Sequence, residues 1–228
     1  MTESEPARLG SSHLEDMAAI ALLARSNTGV ANFYPVLDET QRSALRTRLK
    51  KISRYNWPAT MKDDGQLRRG YTLRQCLRLV VALQLIDGHL AASIAVPIAA
   101  HNELATMRII AHRLQRADSA ISDEDQRAVV ALGELWEPVD PPAASAATLP
   151  RMRVIERGAL PALWAHQTDL DFPGQRLVID IGSAAMAVWT WMNARRLMPR
   201  AELDRLVEDV RQSADLIGYS EVTINSTL

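Results

Sequence analysis

The chain has 228 residues, 47% of them hydrophobic and 23% charged, with a net charge of −1; this is a globular composition and excludes a chain too polar to bury a core. Its one cysteine, Cys76, cannot close an internal disulfide, and the polar, acidic start MTESEPARLGSS carries no apolar signal stretch, so a cytoplasmic setting is expected. The most apolar runs, 79–86 and 177–192, are too short or are broken by Asp180, so no membrane span is expected.

The balanced total hides a segregation of charge. Between Arg42 and Arg78 stand eleven Lys or Arg against two acids, Asp63 and Asp64, a net of +9 that leaves −10 for the remainder. A basic module joined to an acidic partner domain is the electrostatic footprint expected of nucleic-acid binding.

Residues 1–12 read as a disordered tail. The spacing of Leu14, Met17, Ala18, Ala21 and Leu22 predicts a helix over 13–24, broken by Ser26-Asn27-Thr28-Gly29. Asp38 with Gln41 three places on is a capping-box variant and opens the next helix. On that helix Leu45, Leu49 and Ile52 form an apolar stripe. Arg42, Arg46, Lys50 and Arg54 form a basic one, widened by Arg48 and Lys51. Like charges four residues apart repel by roughly a few tenths of a kcal/mol per pair, and apart from the capping Asp38, four before Arg42, no acid stands four residues away to offset them. Such a stripe is either a solvated basic face or a surface whose counter-charge comes from an external polyanion. A second basic element at Arg68 and Arg69 favours the polyanion.

Pro58 biases Trp57 away from helix, which ends the helix near Tyr55 and makes Trp57 an expected core anchor. Asp63-Asp64-Gly65 is a turn signal, so 57–62 and 66–71 are expected to pair as a hairpin. Thr72, with Gln75 three on, starts a further helix. Its apolar residues fall in two stripes, Leu73, Leu77, Val80 and Val81, then Cys76, Leu79, Leu83 and Ile86, which predicts burial on most of its surface. Gly88 is expected to end it as the C′ residue. Arg74 and Arg78 give the start of this helix a cationic face.

Arg69-Gly70-Tyr71, the helix carrying Leu77-Arg78-Leu79, the Ile86-Asp87-Gly88 stop and the short helix after it resemble the MerR-like winged-helix DNA-binding domain, over residues 37–100. That resemblance implies a wing at the Gly-Tyr segment and a core helix behind it. In a winged helix the basic wing lies along phosphates and the preceding helix reads base edges in the major groove. The DNA-contacting residues would then be Arg42, Arg46, Arg48, Lys50, Lys51, Arg54, Arg68, Arg69, Tyr71 and Arg74.

Residues 90–98 read as a short apolar helix with Pro97 inside it or ending it. Residues 103–116 are amphipathic through Leu104, Met107, Ile110, Ala111 and Leu114. The segment stands where MerR-like proteins place an antiparallel dimer seam, and packing on its own domain is the alternative. Residues 123–136 read as another helix, with Val129, Val130, Leu132 and Leu135 apolar. The stretch 137–150, rich in Pro, Ala and Ser, reads as a linker. Beyond it 152–155 and 176–181 read as strands, 183–195 as a helix with Trp189 and Trp191, and Pro199 as the start of a last helix lined by Leu203, Leu206, Val207 and Val210.

No catalytic constellation emerges. Asp180-Ile181-Gly182-Ser183 looks like the phosphate loop of actin-like and sugar-kinase ATPases, but the residues after it read as helix and not as the hairpin those folds need. His13, His89, His101, His112 and His166 show no metal spacing, and Cys76 is expected to be buried. There is no P-loop and no G-x-S-x-G.

The expectation is therefore a mainly α chain with a little β, not an enzyme and without a cofactor. Residues 1–12 would be a tail, 13–118 a winged-helix DNA-binding domain with flanking helices, 119–150 a helix and linker, 151–213 an α+β dimerisation or sensing domain, and 214–228 a tail. Its partners would be double-stranded DNA, a second copy of the chain, and a small-molecule or protein effector at the C-terminal domain, as expected of a bacterial or phage transcriptional regulator. The alternative is an adaptor whose basic face docks an acidic protein.

Overall fold

Both capping boxes form in the structure, a computed structural model that describes residues 6–23, 37–58, 70–116, 122, 124–131, 152–161 and 176–216. Asp38 Oδ1 accepts from Gln41 N at 2.7 Å, and Gln41 Oε1 accepts from Asp38 N at 3.0 Å. Thr72 and Gln75 repeat the exchange at 3.3 and 2.9 Å. Each box satisfies two backbone donors that a helix start leaves without partners. The helices are α1 (Leu14–Leu23), α2 (Glu39–Ser53), α3 (Leu73–Asp87), α4 (Ala92–His101), α5 (Glu103–Gln115), α6 (Ile181–Ala194) and α7 (Arg200–Leu216). The strands are β1 (Gln126–Ala131), β2 (Met152–Glu156) and β3 (Arg176–Ile179). The protein is mainly helical with a small three-stranded antiparallel sheet.

α3 is the central element. Ten of its fifteen residues are buried, as its two apolar stripes predict, and α1, α4, α5, α6 and α7 all pack on it. α2 is the opposite case. Only Leu45 and Ile52 are fully buried, so it lies on the outside of the core, against α1 and α4. α4 keeps Pro97 inside. One apolar cluster runs from Leu9 to Val210 and takes residues from both sides of the expected linker.

Several expectations are corrected. The stretch expected as a helix over 123–136, inside the segment assigned to helix and linker, holds β1 instead. β1 is the middle strand of the order β2-β1-β3, with Ala128 opposite both Val154 and Ile179. Its run Ala128-Val129-Val130-Ala131 is buried on both faces. Ala128 and Val130 join the main cluster, while Val129 and Ala131 join Ile155 in a second. A short apolar run buried on two faces has no period of its own, so spacing cannot separate strand from helix there. The two paired neighbours decide it.

The tail expected over 1–12 is docked from residue 6 onward. Leu9 is buried and pairs antiparallel with Tyr71 through two backbone bonds of 2.7 and 2.9 Å. Ala7 N donates to Glu202 Oε1 at 3.0 Å. Tyr71 therefore has Leu9 as its described backbone partner. Trp57 and Pro58 are not in a strand, and 59–69 lie outside the described residues.

Gly88 is the C-cap of α3 and not the left-handed C′ residue. Its φ is −72°, and His89 takes the left-handed position at φ 69°. His89 N bonds Ile86 O at 3.0 Å and Leu90 N bonds Leu85 O at 3.2 Å, a Schellman closure. What Gly88 provides is room, because a Cβ there would stand 2.8 Å from Leu177 Cδ2 on β3.

The helix at the place of a dimer seam packs within its own chain. α5 is covered by α6, α7 and β1, with Met107, Ile109, Ile110 and Leu114 buried. Asn102, at the α4–α5 corner, donates to Ile98 O at 2.9 Å and accepts from Met152 N at 2.9 Å, tying the corner to β2. Asp180 caps α6 through Ser183 N at 2.9 Å and pairs with the buried Arg127 of β1 at 3.0 Å. This gives the Asp180-Ile181-Gly182-Ser183 motif a structural role. α7 runs on to Leu216, past the boundary expected at 213. The linker expected over 137–150 lies outside the described residues.

Candidate nucleic-acid interface

The basic stripe of α2 divides into two parts. Its first half is already paired. Glu15 Oε1 accepts from Arg46 Nε at 2.7 Å, and Glu39 Oε1 accepts from Arg46 Nη1 at 2.9 Å. Arg42 Nη1 lies 3.5 Å from Glu15 and 3.8 Å from Asp16. On the other flank Arg48 lies 3.9 Å from Asp87 of α3. The second half carries Lys50, Lys51 and Arg54, which are exposed and make no ion pair among the described residues. Alongside the stripe, Ser43, Ala44 and Thr47 face outward and line an open depression with Glu39, Thr40, Arg48 and Lys51. Small outward residues flanked by cations let a broad surface approach α2 closely. Tyr55 follows at the helix end, and it is one of two large hydrophobic residues exposed among those described, at 47%.

Sequence spacing misses Glu15, Asp16 and Asp87 because it looks for acids on the same helix. The counter-charges come from α1 and α3. The one sequence signal is that Glu15 and Asp16 stand at the start of an otherwise apolar helix. Hydrogen bonds from Arg46, then its charge and those from Arg42, outweigh partial burial and hold the Glu15 carboxyl below the usual carboxylate range.

Arg74 does not join this surface as a free cation. It donates to Glu103 Oε1 through Nε at 3.1 Å and Nη2 at 2.8 Å. Arg78, one turn on, donates to both oxygens of the same carboxylate at 2.6 and 2.7 Å. Trp57 is buried, as a core anchor should be. Its Nε1 donates to Arg78 O at 3.2 Å, and the Arg78 guanidinium lies 5.5 Å from its ring centroid. Tyr71 is half-buried, and burial first, then the neighbouring Cys76, pushes its phenol up. Arg68 and Arg69 lie outside the described residues.

Cys76 is fully buried, and burial pushes its thiol well up. It is expected to react negligibly with a thiol reagent in the native protein and fully in denaturant, read by absorbance of the released chromophore. Among the described residues, no group of three or more His, Cys, Asp or Glu is placed to hold a metal, and no helix is long and apolar enough to cross a membrane. No protein-family model, no curated protein and no solved structure matches the chain.

Proposed function

We propose that the protein is a transcriptional regulator that binds double-stranded DNA through α2, in a MerR-like winged-helix arrangement, as a dimer. The observation that carries the reading is the set of exposed cations Lys50, Lys51 and Arg54, without an ion pair among the described residues, on an outer helix that buries a single stripe. Cations near a helix C-terminus are also favoured by the helix dipole, which holds them in place without a local carboxylate. Phosphate neutralisation by these residues would supply sequence-independent affinity, and the outward face of α2 would supply contacts to base edges. A dimer would put two such faces on half-sites about one helical turn, roughly 34 Å, apart.

The test is fluorescence anisotropy on a labelled duplex at several salt concentrations. Replacing Lys50, Lys51 and Arg54 together by alanine is expected to flatten the log–log salt slope by about 2.7, at roughly 0.9 per lost phosphate contact. Wild-type affinity and slope in that variant would remove the reading. Selection of genomic fragments at two salt concentrations tests the dimer. An inverted repeat retained at the higher salt supports it, and no recovery at either salt removes the reading.

A further inference from the structure

We propose that Glu15 is an internal counter-ion that a DNA phosphate displaces, so that Arg42 and Arg46 are held on α1 in the free protein and pass to the DNA backbone on binding. The inference rests on the DNA reading above. Its geometric basis is continuity. Arg46 and Lys50 are four apart and therefore neighbours on one face of α2. The exposed cations at the end of the helix thus extend a row whose first members are engaged by acids of another helix. At this seam Glu15 and Asp16 stand where an incoming polyanion would stand.

The contact is built to exchange. Arg46 is 52% exposed and Glu15 24%, so the pair sits at the surface. Surface ion pairs are weak and screened by salt. The Arg46 guanidinium has Nε on Glu15 and Nη1 on Glu39, and Nη2 makes no hydrogen bond among the described residues. That free donor can meet a phosphate before the carboxylate leaves. A phosphate then offers charge-assisted bonds of the same kind and releases condensed counter-ions, which a protein carboxylate does not.

Two variants decide it, measured on a fluorescein-labelled 30-base-pair duplex of random sequence. Arg42→Gln with Arg46→Gln is expected to flatten the salt slope by about 1.8, although both arginines are already paired in the free protein. Glu15→Gln is expected to tighten binding by on the order of threefold with the wild-type slope, since each arginine then has one carboxylate fewer to leave. That gain should vanish when Glu15→Gln is placed in the doubly substituted background. A wild-type slope in the double arginine variant overturns the inference, and so does a Glu15→Gln gain that survives there, which would be a general charge effect. Because the slope of the arginine variant decides alone, the inference stays testable if Glu15→Gln disturbs α1. If the wild-type protein binds the duplex and loses it with Lys50, Lys51 and Arg54 but the arginine variant keeps its slope, only the counter-ion inference falls. If the wild type binds no duplex, both fall.

Discussion

Trp191→Ala is expected to cost about 3–5 kcal/mol, the range for removing a large buried aromatic. Against a domain stability of roughly 5–15 kcal/mol this is a large fraction. Trp191 is fully buried in the last turn of α6, which packs on α1, α3, α5 and β1. His13 meets its ring edge-on at a centroid distance of 6.3 Å, and the Arg195 guanidinium lies 5.3 Å from its centroid on the other contact. Removing the ring therefore opens a cavity between elements from both ends of the chain. Trp191→Phe is expected to be milder, about 1–2 kcal/mol. It loses part of the ring but also removes Nε1, a buried donor with no hydrogen-bond partner among the described residues. A buried unsatisfied donor costs about 1–3 kcal/mol, and its deletion offsets some of the lost packing. Urea titrations of the two variants check this, the midpoints moving by unequal amounts at an unchanged m-value. A loss from Trp191→Phe well above about 2 kcal/mol would mean that Nε1 is satisfied by a partner such as a buried water.

The same helix shows what could be read in advance. Its apolar length was legible, as were both capping boxes, because caps and periodicity are local, but its start was expected at 183 and lies at Ile181, behind the Asp180 cap. The strand β1 was not. Its residues Ala128 to Ala131 carry no alternation, and their state is set by β2 and β3 from far along the chain. Gly88 was legible as a stop but not for its neighbour, since the Leu177 side chain that packs close against it belongs to β3. The candidate interface divides in the same way. The cations of α2 could be seen in the sequence. Which of them are already neutralised could not, because Glu15 and Asp87 reach them across helices. Spacing rules describe one helix at a time, whereas charge compensation is a tertiary property.

Glu103 gives the second large effect. Its carboxylate joins two arginines of α3 to the start of α5, and the Arg78 side chain is only 15% exposed. Glu103→Ala removes one partner of a partly buried cluster, and a loss of about 2–3 kcal/mol is expected. Glu103→Gln keeps the shape and some hydrogen bonding, with an expected loss of about 1–2 kcal/mol. The pH dependence follows from the direction of the shift. Burial by itself raises the Glu103 carboxyl, but hydrogen bonds from Arg78 and Arg74, with their charges, outweigh it and leave the group below the usual value of 4.5. A carboxyl whose folded value is depressed contributes its full stabilisation above the unfolded value, and loses it as pH falls through the folded one. The stability gap between wild type and Glu103→Gln should therefore be constant from pH 7 down to about 4.5 and close below that, as read by urea midpoints across pH. The effect should also reach the candidate interface. Glu103 orients the Arg78 guanidinium, and that guanidinium lies 5.5 Å from the centroid of the Trp57 ring, three residues beyond Arg54. Amide exchange at residues 52–57 should accelerate in Glu103→Ala more than at α7, whose packing on α3 and α5 does not pass through this carboxylate. A uniform acceleration would place Glu103 in global stability alone and sever it from the end of α2.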